Sequence, residues 1–227
     1  MRRKRTLPTM VGLAVGLAGS YLAYKAYRRA KATCPPFRKR VYSVPKELVG
    51  DFSELWRHPE YLRALRASEH LDHPLAEKIM LAVTSVNGSR SSTYAHARYA
   101  MRQGLSQSEV EALLRGDVKQ VTPQEAPALF FAQDYAERRD QPDADAIRRL
   151  VDTYGPQGAR DIVTYVRLVT LANLVGNTFD ALISRVLGQP SPDSSLGGEL
   201  SLLAIFLFGI VPLVPLVVLR SGQVPPA

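Results

Sequence analysis

Four side chains in this 227-residue sequence have the types and spacing for chemistry: Glu77, Ser89, Ser92 and His96. On one helix the offsets i, i+3 and i+7 bring Ser89, Ser92 and His96 to a single face. Hydroxyl, imidazole and carboxylate are the components of a Ser–His–acid hydrolase. The rest of that machinery is not in the sequence, which has no G-x-S-x-G elbow and no visible oxyanion hole. Proton transfer asks for less: a carboxylate and an imidazole with separated pKa values can serve as base and acid. The plain structural alternative is a buried polar pair, Glu77 and His96 satisfied by each other and by the serine hydroxyls.

Other chemistries are narrowed by composition. Cys34 is the one cysteine, so an intrachain disulfide, a CxxC redox pair and a cysteine-rich zinc site are excluded. His58, His70, His73 and His96 show no HExxH or comparable spacing, and neither a metal nor a cofactor is expected. His58, His70 and His73 fall near helix ends and read as surface groups. Asn173 and Asn177, at i, i+4 in an apolar helix, need partners if buried, and read as lining a pocket or an interface. Trp56, Tyr61 and the Phe130–Phe131 pair read as core or subunit contacts. The Arg138–Arg139 and Arg148–Arg149 doublets read as solvated helix faces.

The elements that must position these residues are helices. From about Val44 to Gly188 there is no strand alternation. Pro45 and Pro59 suit first helical turns. Pro74 opens a segment with Leu75, Ile79, Val83 and Val86 on one face, and Asn87-Gly88 stops it. Ser106 with Glu109 forms a capping box for a short helix through Leu114. Pro123 opens another segment. Asp143 caps a further one with Ile147, Leu150, Val151 and Tyr154 on one stripe. Gly155-Pro156 breaks the chain before a long helical pattern from Ala159 to about Leu187. Short loops and no internal repeat predict an all-α helical bundle.

The stretch EKIMLAVTSVNGSRSSTYAHARYAMRQG, Glu77 to Gly104, resembles the AhpD-like alkyl hydroperoxidase and carboxymuconolactone decarboxylase superfamily. Redox members of that family carry a Glu twelve residues before the first cysteine of C-x-x-C-x-x-x-H. Here Glu77 lies twelve before Ser89, Ser92 follows three later and His96 four after that. Asn87-Gly88, Tyr94, Ala95 and Gly104 also fit, and Asp161 to Leu182 is similar to the family's closing helix. The resemblance spans roughly residues 45–190. It implies an AhpD-like helical bundle that assembles as a homo-oligomer, with Glu77 approaching the Ser89–Ser92–His96 face from the preceding helix. It also implies peroxidase, disulfide reductase or decarboxylase chemistry. Serine at both cysteine positions departs from the redox pattern. A hydroxyl forms no disulfide, lacks the easy ionisation of a thiol and has no route to a sulfenic acid, so thiol redox catalysis is expected to be absent. The lactone decarboxylase members work without the thiol pair. They leave open acid/base chemistry by Glu77 and His96 on a small carbonyl or lactone substrate.

The ends of the chain differ from its middle. The formal charge is +8, yet eleven Lys and Arg and no acid fall within residues 1–40, leaving 18 basic against 21 acidic residues in the rest. A mildly acidic remainder argues against a nucleic-acid partner. A basic arm around an apolar segment suits anionic lipid headgroups. Leu7 to Tyr24 is predicted to be a membrane segment within this arm, with a cleaved signal peptide as the competing reading. Leu200 to Leu219 holds twenty residues without a charge and is predicted to be a spanning or re-entrant membrane segment. An oligomerisation helix is its alternative. Residues 45–188 form the domain between them, and 189–199 read as a linker. The larger number of basic residues after the first segment places the domain on the cytoplasmic side. Membrane lipid, a second copy of the chain and an unidentified small molecule are the expected partners.

Overall fold

A computed structural model describes residues 22–57, 71–88, 90–118, 121–138, 141–216 and 219, with backbone alone for 90–92, 94 and 95. The described elements are helices, and no strand occurs among the described residues. They are α1 (22–33), α2 (Pro45–Arg57), α3 (His73–Asn87), α4 (Arg90–Arg102), α5 (Gln107–Leu114), α6 (Ala126–Glu137), α7 (Ala144–Val186) and α8 (Leu196–Ala204). α8 as a whole runs on through a π-helical turn, Ile205–Ile210, and a 3-10 turn, Val211–Leu213, to Leu216.

Local chemistry sets many of these boundaries. Asp72 caps α3, its Oδ1 accepting from the Leu75 amide at 2.8 Å, and Pro74 sits in the first turn, where no amide is needed. Gly88 ends α3 in the left-handed region at φ 69°, its amide donating to the Thr84 carbonyl. Ser106 and Glu109 form the reciprocal capping box that opens α5. Asp143 accepts from the Asp145 amide at the start of α7. Within α7, Gly155 takes φ 70°, ψ 172°, a combination that glycine alone adopts readily, and bends the helix ahead of Pro156.

α3 is the central helix and packs against α4, α5, α6 and α7. Leu75, Ile79 and Val83 are buried on it as the spacing predicts, and Val86 is partly buried. Leu129, Phe131 and Ala132 from α6, and Leu150, Ile162 and Val166 from α7, complete this core. Phe130 is exposed while Phe131 is fully buried, because neighbouring residues on a helix point about 100° apart. Ile147 departs from its predicted stripe and is exposed, while Ala146 beside it packs against the core. A second core joins α2, the C-terminal half of α7 and α8 through Tyr42, Leu48, Leu174, Val175, Leu202 and Ile210. Trp56 stacks obliquely on Phe52 at its margin, with ring centroids 6.2 Å apart.

Among the described residues two helices are long and apolar enough to cross a membrane, Ala144–Val186 and Leu196–Leu216. In the first, 56% of the most apolar window is buried, and the helix serves both cores. In the second only 22% is buried. That helix overlaps the apolar run predicted at 200–219, but it begins earlier, so the polar stretch 189–199 is shorter as a linker than its composition suggests. Ser195 caps it by accepting from the Gly198 amide at 3.1 Å. The predicted segment 7–24 lies outside the described residues except for its last three, which begin α1.

Candidate functional site

Glu77 sits on the inner face of α3, between Leu75 and Ile79, and is only 6% exposed. The chain reverses at Asn87–Gly88, and α4 returns along α3. This brings the His96 Nδ1 to 3.6 Å from the Glu77 Oε2. At that distance the two groups are in polar contact without a hydrogen bond. Glu77 Oε2 has no hydrogen-bond partner among the described residues. The His96 side chain retains 31% of its exposure, so the pair runs from the interior to an accessible edge.

Tyr165 on α7 belongs to the same neighbourhood. Burial first, then the charges of Glu77 and Tyr99, push its phenol well above the ordinary tyrosine range. It is therefore a neutral phenol at physiological pH. The signal available in the sequence was a tyrosine within an apolar helix, which is equally the mark of an ordinary core residue. Of the two serines, Ser89 lies outside the described residues. For Ser92 the helical backbone alone is described, within α4.

Asn173 and Asn177 are buried inside the fold and act as fasteners. The Asn173 Nδ2 donates to the Thr84 Oγ1 at 3.1 Å, joining α7 to α3. The Asn177 Nδ2 donates to the Asn87 carbonyl at 2.9 Å and the Arg40 carbonyl at 2.8 Å. The first of these is a terminal helix carbonyl without a partner in its own helix. Asn177 thereby fixes the end of α3 where the chain turns into the Ser89–His96 segment. Spacing alone showed that these asparagines needed partners; which ones depended on tertiary contacts.

The remaining predicted surface groups divide by position. His73 is exposed, while His58, Tyr61 and His70 lie outside the described residues. Arg138 is exposed and pairs with Asp134 at 2.6 Å, and Arg148 is exposed and pairs with Asp145. Arg149 is exposed, and Arg139 lies outside the described residues.

Two larger cavities are lined by other residues. One of about 480 Å³ lies between the 40–51 segment and Thr170 and Leu174 of α7. Another of about 530 Å³ surrounds Cys34 and reaches Gly88, Asp180 and Ser184. Neither is lined by Glu77 or His96. No group of three or more His, Cys, Asp or Glu side chains suited to a metal ion occurs among the described residues. Neither a scan of protein-family models nor a search of curated proteins gives a match to this chain.

Proposed function

We propose that this chain is a membrane-associated protein of the AhpD-like, carboxymuconolactone decarboxylase type that lacks thiol redox catalysis and acts in binding, assembly or regulation. The observation that carries the reading is the Glu77–His96 contact across α3 and α4, at 3.6 Å. A carboxylate and an imidazole nineteen residues apart in sequence meet in the register that the resemblance implies. Serine at positions 89 and 92 removes the disulfide and sulfenic acid steps, because both require sulfur. The resemblance also favours a homo-oligomer. The weakly buried apolar helix α8 and the basic residues of the N-terminal arm favour attachment to a membrane, with the domain on the cytoplasmic side.

A second reading is an acid/base enzyme acting on a small carbonyl or lactone compound. The buried Glu77 Oε2, lacking a hydrogen-bond partner among the described residues beside a partly exposed imidazole, favours it.

The deciding experiment assays peroxide and disulfide reduction by the full chain carrying Cys34→Ser, with and without the Ser89→Cys/Ser92→Cys pair. An inactive parent and an active double variant are expected. Activity in the serine parent would overturn the absence of redox function. Two inactive, folded proteins would count against the family reading.

A further inference from the structure

We propose that α8 lies along one leaflet of an anionic bilayer, its outer apolar face in lipid and its two ends on the side that holds the domain. This rests on the membrane association proposed above and specifies how the helix meets the lipid.

The inner face of α8 is already committed to protein. At its start, Glu199 is fully buried and accepts from Arg185 at 2.7 and 2.9 Å and from Ser194 Oγ at 2.7 Å. Further on, Leu202 and Ile210 are buried against Leu174, Val175 and Leu48, with Leu171 and Phe52 beside them. α8 therefore runs back along α7, flush with the domain from Glu199 to Ile210, about 16 Å at ~1.5 Å per residue. Only residues 211–219 of the apolar run follow, a stretch that even as continuous helix would reach about 13 Å against a hydrocarbon core of about 30 Å.

A crossing orientation would drag neighbours into the hydrocarbon. The Arg185–Glu199 pair lies at this contact, and the Lys39–Asp180 pair sits five residues away along α7, on another side of it. α2 would follow, carrying Lys46, Glu47, Asp51 and Glu54. Such groups are costly in lipid, whereas a helix lying in the interface leaves them on the aqueous side.

The outer face has the matching chemistry. Leu200, Leu207, Phe208, Val211, Val214 and Leu216 are exposed, Phe208 at 82%. Near the start of α8, α1 presents exposed Lys25, Arg28, Arg29 and Lys31 with no acidic residue. It is held there by Tyr27, whose hydroxyl donates to the Val186 carbonyl at 3.2 Å, and by Lys31 lying against Gly188. An apolar stripe with a basic flank is complementary to an anionic leaflet rather than to a neutral protein groove.

The test uses the full chain with Cys34→Ser and either Gln107→Cys in the domain or Ser221→Cys beyond the apolar run. Sealed vesicles from expressing cells, right-side-out and inverted, are treated with a membrane-impermeant maleimide. Both cysteines are expected to react in the same preparation; reaction in opposite preparations makes α8 a span and overturns the proposal. Chain that does not float with the vesicles overturns the membrane reading beneath it. A second measurement places Phe208→Trp, in a Trp56→Phe background, in phosphatidylcholine–phosphatidylglycerol vesicles with brominated acyl chains. Quenching of the single tryptophan is expected. Unquenched emission from chain that floats would assign this face to a second copy or to the N-terminal apolar segment, and would overturn the proposal.

Discussion

At residue 177 a single amide ties the end of α3 to the segment that precedes α2. Its Nδ2 serves two carbonyls from segments far apart in sequence, at 2.8 and 2.9 Å, and both lose that donor if the amide is removed. The Asn87 carbonyl also accepts from the Arg40 amide at 3.2 Å, so Asn177→Leu is expected to cost about 1–3 kcal/mol as two lost hydrogen bonds, read as a lowered midpoint in urea. Glu125 gives a pH-dependent counterpart. Burial alone would raise its carboxyl. The Lys78 ammonium at 2.9 Å, together with the backbone and hydroxyl of Thr122, outweighs burial and holds it below the usual carboxylate range. A folded value below the unfolded one means stability that is present above the unfolded value and lost as pH falls through the folded value. Glu125→Gln should therefore be less stable than the parent at neutral pH, and the gap should close in acid. Thermal melts at several pH values check this; a gap that is constant with pH would refute it.

Among the elements, α8 is anchored at its start by the Arg185–Glu199 pair. Removing the guanidinium by Arg185→Met leaves Glu199 buried without its cation, which is expected to cost about 3–5 kcal/mol. Replacing both, Arg185→Met with Glu199→Leu, should cost much less, since no buried charge is then stranded. Proteolytic release of the C-terminal segment compares the two variants directly. This pair also marks where the sequence stops being legible. Pro74, Gly88, the Ser106–Glu109 box and Asp143 could be read in advance because each acts on residues within a turn of itself. Glu199 reads as one more polar residue in a linker, for its partner lies fourteen residues back and meets it only after α8 folds onto α7. The same limit applies to the site. The register of Glu77 and His96 could be read in the sequence, but the approach of Tyr165 could not.

For the molecule as a whole, the two cores share one long helix. α7 contributes Leu150, Ile162 and Val166 to the first and Leu174 and Val175 to the second. It also supplies the asparagines behind the α3–α4 turn and the arginine that holds α8. Damage to its path is therefore expected to be global. Gly155→Ala forces a side chain into a backbone region essentially reserved for glycine and should cost about 1–3 kcal/mol, with both cores melting at a lower temperature. Near-ultraviolet circular dichroism reports the loss through Phe131 and Tyr135, which pack at 5.9 Å in the first core. Trp56 fluorescence reports it at the edge of the second.

The bend at Gly155 also bears on motion. Leu150 before it and Ile162 after it are both fully buried in the same core, so the angle is clamped from either side. A break in a helix is commonly read as a hinge, but a hinge needs one arm free to swing. Here neither arm is free, and the bend behaves as a rigid elbow. Amides from 159 to 166 should consequently exchange with deuterium only when the whole domain opens, as slowly as those of α3.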